Sequence, residues 1–251
     1  GAANTNGNDG RITRFGWKAQ NKSGLLFVAE AYNVEMGISN EIFQTEREEN
    51  ANCQFSPVPN SVQDTDAITN TTTTKDAALG ATADIVKFAN FQRFSAPPTP
   101  ASSGYTTTNG TVVSAASIAR GKQRFIDVGC HLCHTPTLTT NPNTSVKALA
   151  NQPVNAFSDF ALHGMGPGLA DGVSQGAAKG DEFRSAPLWG VGQRIFLLHD
   201  GRTTDIRAAI EAHFSNANSQ FGASEANAVI VKFENLGFGD TQDLLNFLRS
   251  L

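Results

Sequence analysis

Residues 129–136 read GCHLCHTP and hold Cys130, Cys133 and, directly after them, His134. Two of the chain's 3 cysteines stand here. C-x-x-C-H is the spacing at which two thiols reach the two vinyl groups on one porphyrin edge. The following histidine then lies under the iron as its proximal ligand. Three other chemistries use the same residue types. A zinc site needs a fourth ligand, and no second C-x-x-C exists in the chain. A redox dithiol of the thioredoxin kind sits in a βαβ setting, whereas the pattern here is helix then loop. A disulfide between Cys130 and Cys133 closes a strained ring. The motif therefore points to one covalently bound haem c.

An iron held by His134 has a sixth position, and the chain offers few residues for it among its 5 His and 2 Met. His131 lies inside the motif and points the wrong way. His163 and Met165 lie in FALHGMGPGLADG, a glycine-rich loop, and a loop methionine raises the potential of a haem c carrier. His199 precedes a helix. His213 falls on an apolar helical face with Ile206 and Ile210, where a histidine is ordinarily a core residue.

Helices must position these groups. Leu25, Val28, Tyr32 and Met36 predict a helix that stops at Gly37. Residues 38–75 read as polar loop ending in TNTTTTKD. A second helix is expected over 76–94, with Leu79, Ile85, Phe88 and Ala89 on one face. SAPPTPASSGYTTTNG has linker composition. Ser114 then caps a helix whose stripe is Ile118, Gly121, Phe125 and Val128, and which runs into the cysteine motif. Further helices are expected over 203–214, from Ser224 to Gly237, and from Asp240 with the stripe Leu244, Leu248 and Leu251. No strand alternation is evident. Gly121 and Phe125 are placed to meet the Leu244/Leu248 face of the last helix, since a glycine permits close approach. The fold class is mainly α, a cytochrome c-like haem domain (112–251) preceded by a loop-rich helical segment (1–95) and a linker (96–111).

Composition narrows the partners. Lys and Arg total 19 against 23 Asp and Glu, a net charge of −4, with the signs mixed. No basic block marks a nucleic-acid surface, and no apolar run is long enough to span a bilayer. Few charges and many Asn, Thr, Ser and Gln fit a periplasmic or extracellular protein. The GAANTNGNDG start reads as that of a mature product or fragment.

GCHLCHTPTL, FSDFALHGMGPGLADG, EFRSAPLWGVGQRIFLLHDGRTTDIRAAIEAH and LLNFLRSL together resemble the di-haem cytochrome c peroxidase superfamily. The branch is the di-haem oxidoreductases, some called thiol oxidoreductases, and RFGWKAQ and AEAYNVEMGISNEIF fit it too. The resemblance runs in order through nearly the whole chain. It implies peroxidase-like redox chemistry in an exported protein, two haem domains, and electron entry from a small redox protein. It places a distal ligand on the helix after the HDG turn, here His213, with Met165 the alternative. It also implies an upstream haem motif, which this chain lacks, so the chain resembles a C-terminal, electron-transfer half whose partner is a second haem domain or chain. A stand-alone or assembly-forming haem c carrier is the other reading. Cys53 then either pairs with a cysteine of the other half or is a buried free thiol. Arg184 and Arg202 flank loops expected near the haem, as propionate partners or solvated charges. Trp189 lines the pocket or an electron path, or belongs to the core, and Asp200 shapes the turn before the helix.

Overall fold

The structure is a computed structural model describing residues 1–5, 10–53, 58–63 and 82–251. The TNTTTTKD segment and the expected helix start at 76, with Leu79, lie outside the described residues. The chain forms two compact units, Gly1–Gln20 with Pro97–Leu251, and Asn21–Ala96. Residues 1–20, expected with the preceding segment, thus belong to the unit that carries the cysteine motif.

The smaller unit pairs two helices. α1 spans Gly24–Val34, and Ser23 caps it by accepting from the Leu26 N–H. Gly37 then turns the chain at φ 69°. α2 spans Asp84–Phe94 and buries Ile85 and Ala89 against Val28 and Ala29. Phe88, expected on that buried face, is half exposed. Cys53 closes a short turn and is exposed, which removes the buried-thiol reading.

In the larger unit, the expected linker holds a strand, β1 (Gly104–Thr106). It pairs antiparallel with β2 (Val112–Ser114), and Tyr105 packs on the core. α3 (Ala115–Val128) follows, capped by Ser114, and buries Ile118, Gly121, Phe125 and Val128 as its spacing requires. It ends at Gly129, which takes the left-handed φ of 108° and leads into the Cys130–Leu132 turn. Two short hairpins follow, β3 (Leu138–Thr139) with β4 (Pro153–Val154), and β5 (Leu162–Gly164) with β6 (Glu182–Arg184).

Three helices complete the unit: α4 (Ile206–Glu211), α5 (Asn227–Glu234) and α6 (Phe238–Ser250). α4 is shorter than its pattern, because Asp205 caps it. Ser224 stands two residues before the cap of α5, accepting from the Ala226 N–H rather than starting the helix. Asp240 lies within the first turn of α6 and pairs with Arg124 at 2.9 Å. α6 crosses α3 at Gly121, where any Cβ would overlap the Asp243 carbonyl. Phe125, Phe157 and Phe247 pack edge to face at 5.5 to 6.0 Å beside that crossing. The fold is mainly α, and among the described residues no helix is long and apolar enough to cross a membrane.

Candidate functional site

α3 delivers the cysteine motif to the wall of a cavity of about 420 Å³. Cys130, Cys133 and His134 line it on one side, and Ile206, Ile210 and His213 on another. Met165 and Leu169 from the glycine-rich loop, Phe183 from β6, and Leu188 and Leu197 complete much of the wall. Its size and apolar lining suit an organic cofactor.

Two imidazoles are prepared as donors to this space. His134 Nδ1 bonds the Phe157 carbonyl at 3.0 Å, and His213 Nδ1 bonds the Ala209 carbonyl at 2.7 Å. A carbonyl only accepts, so each ring carries its proton on Nδ1 and keeps a bare lone pair on Nε2. Burial lowers His134 to about 4, and the nearby His213 pushes the same way. Burial also lowers His213. Both rings are therefore neutral at physiological pH, as metal ligation requires. Phe157 holds its carbonyl in place from a left-handed φ of 52°, a conformation that ordinarily costs about 1–3 kcal/mol. His213 itself sits in the turn just past α4 rather than within the helix.

The cysteines do not resemble a reactive dithiol or a zinc clamp. Cys130 and Cys133 are unbridged, and burial pushes the Cys130 thiol up to about 12. Metal-bound or nucleophilic cysteine acts as thiolate, which this site disfavours. Among the described residues no group of three or more His, Cys, Asp or Glu side chains could enclose a metal ion.

Arg184 lines the cavity as well. Its Nη1 bonds the Arg14 carbonyl at 2.7 Å, but its Nε is buried with no partner. Burial lowers it to about 10, and Arg194 beside it acts in the same sense. Arg194 also lines the cavity and makes no ion pair among the described residues. A guanidinium whose buried Nε has no partner, with a second guanidinium beside it, suits an anion. An apolar cavity lined by two cysteines, two imidazoles and two arginines fits a haem with its carboxylate side chains.

The other expected residues divide. Met165 lines the cavity and is 8% exposed. Arg202 does not line it; its guanidinium holds Asp200 at 2.6 Å and the Gly168 carbonyl at 2.8 Å. That pairing also fixes Asp200 as a turn residue. Trp189 is likewise absent from the lining, where Trp17 stands instead, edge-on to His199 at 6.3 Å. His163 is engaged by Asp159 and Glu225 at 3.0 and 2.9 Å. Trp17 and Arg194 were not foreseen, although both lie in the stretches RFGWKAQ and GVGQRIF that carry the family resemblance.

The cavity and the residues on its wall suit a haem-binding protein. The chain belongs to the family described as "Di-haem oxidoreductase, putative peroxidase", whose model matches residues 2–251. No curated protein matches the chain. Among solved structures, a chain of hydrazine synthase from Kuenenia stuttgartiensis, pressurised with 20 bar xenon, is similar at 17% identity and a TM-score of 0.35. The match covers 72% of this chain and 66% of that one.

Proposed function

We propose that this chain is a c-type haem protein, the electron-transfer half of a di-haem oxidoreductase of the peroxidase type. Cys130 and Cys133 would bind the haem as thioethers, His134 and His213 would ligate its iron, and Arg184 and Arg194 would pair with its propionates. The observation that carries the reading is that His134 and His213, each bonded through Nδ1 to a backbone carbonyl, line one cavity with Cys130 and Cys133. Bound here, the haem supplies a one-electron iron couple. The protein's residues fix its ligands, exclude water with an apolar wall, and leave no open position for peroxide.

The chain contains one C-x-x-C-H motif, and its family is di-haem. A second haem domain or chain therefore supplies the peroxide-reactive iron, and a small redox protein exchanges electrons with the pair. Covalent haem attachment and the amide-rich surface fit a periplasmic or extracellular location. The test is the visible spectrum of the haem-loaded chain, oxidised and reduced. A low-spin haem c spectrum without the long-wavelength methionine–iron band is expected. That band would assign the distal position to Met165. A high-spin feature would make this chain itself the peroxidatic one.

A further inference from the structure

We propose that His163 is a fixed cation that raises the reduction potential of the haem carried on Cys133. The inference deepens the reading above and rests on it. His163 stands in β5 and is 5% exposed. Its Nε2 donates to Asp159 Oδ2 at 3.0 Å, and its Nδ1 donates to Glu225 Oε2 at 2.9 Å. An ionised carboxylate has nothing to donate, so both ring nitrogens carry hydrogen and the ring bears a full positive charge. The same Nδ1 lies 3.5 Å from Cys133 Sγ, the atom that joins the haem. On that reading the cation would lie beside the thioether formed at Cys133.

The ring is held on every side. Asp159 Oδ1 accepts from the Ala161 N–H and the Ser185 hydroxyl, and Ser185 in turn bonds Ser158. Glu225 Oε1 accepts from the Gly164 N–H at 3.1 Å. The Asp159 N–H donates to the Cys133 carbonyl, which ties the cluster to the motif's backbone. With both nitrogens spent, His163 has no lone pair for iron. What remains is charge. A cation held beside the haem disfavours the ferric state relative to the ferrous one. The two carboxylates oppose this. Reduction adds one electron, supplied by the titrant, and moves no proton, because the ring keeps both of its own.

The experiment is a spectroelectrochemical titration of the haem-loaded full chain, its His163→Gln variant and its Glu225→Gln variant. Removing the cation should lower the potential, so that the reduced-to-oxidised ratio at the wild-type midpoint falls roughly threefold or more. Removing the partly exposed Glu225 carboxylate should raise that ratio by a similar factor. Opposite shifts with wild-type low-spin spectra support the proposal. Unmoved potentials, or shifts of the same sign, overturn it and leave His163 a structural residue. If His163→Gln fails to take haem, Glu225→Gln decides alone, a rise supporting and no rise overturning. A wild-type chain without covalent haem overturns the underlying reading as well.

Discussion

His134 and His213 show how much one hydrogen bond decides. Each ring has two nitrogens, and a backbone carbonyl claims the Nδ1 proton in both, so Nε2 keeps a free lone pair in a residue that lines the cavity. His213→Ala deletes one of these lone pairs while leaving His134 and both cysteines in place. The expected result is a high-spin iron that binds cyanide or carbon monoxide and reacts faster with peroxide, read by absorption spectroscopy and stopped flow. An unchanged low-spin spectrum would remove His213 from the iron. The neighbouring cluster titrates in its own way. Burial works against both charges, yet bonds from His163, Ser185 and the Ala161 N–H hold Asp159 at about 2. Bonds to Asp159, Cys133 and Glu225 lift His163 to about 10. His163 therefore contributes stability that is full below its unfolded value near 6.5 and lost as pH rises toward 10. Asp159 contributes above its unfolded value near 3.8, and that part is lost as pH falls toward 2. Thermal melts should be flat between pH 4 and 6.5 on this account, with the alkaline fall absent in His163→Gln. At this scale the spacing of Cys130, Cys133 and His134 marked three residues that the structure sets on one cavity wall. The sequence was opaque where a side chain arrives from a distant segment, as with Trp17.

Helix α3 was readable because its stripe repeats at helical spacing and because Ser114 caps its start. The hairpins were not, because strands of two or three residues carry no alternation to detect. Tyr105 buries its ring from a segment whose Pro, Ser and Thr content imitates a linker. Caps misled for a related reason: Ser224 and Asp240 are good capping residues by type, but Ser224 bonds a loop N–H and Asp240 faces Arg124. The α3–α6 crossing gives the sharpest prediction among the elements. A methyl at Gly121 meets the Asp243 carbonyl and the Phe247 Cβ, both parts of a packed helix that cannot swing aside. Gly121→Ala should destabilise by at least about 1–3 kcal/mol, the usual cost of overpacking. Gly239→Ala is the control. A Cβ there meets nothing within 4 Å, and alanine favours a helix by roughly 0.5–1 kcal/mol. The two melting temperatures should move in opposite directions, and a neutral Gly121→Ala would mean that the helices are farther apart than the structure has them.

For the whole molecule, the cavity changes what counts as core. Phe125, Leu188, Val191, Leu197 and Leu248 belong to or pack against the main apolar cluster, and all of them also line the cavity. On the proposed reading their apolar surface would be divided between protein and cofactor. An apolar ligand that binds the folded chain alone stabilises it by mass action, and a covalent one cannot dissociate. On the proposed reading haem and fold would be coupled in the unit formed by Gly1–Gln20 and Pro97–Leu251, whereas Cys53 belongs to the other unit. The double variant Cys130→Ala/Cys133→Ala should lose covalent haem completely, shown by the mass of the denatured chain. It should also melt at lower temperature and over a broader range than wild type, while retaining helical signal from α1 and α2. Cys53→Ser should keep one haem per chain and the wild-type melt. A colourless double variant with unchanged stability would separate fold from cofactor and return the cavity to the role of an ordinary binding pocket.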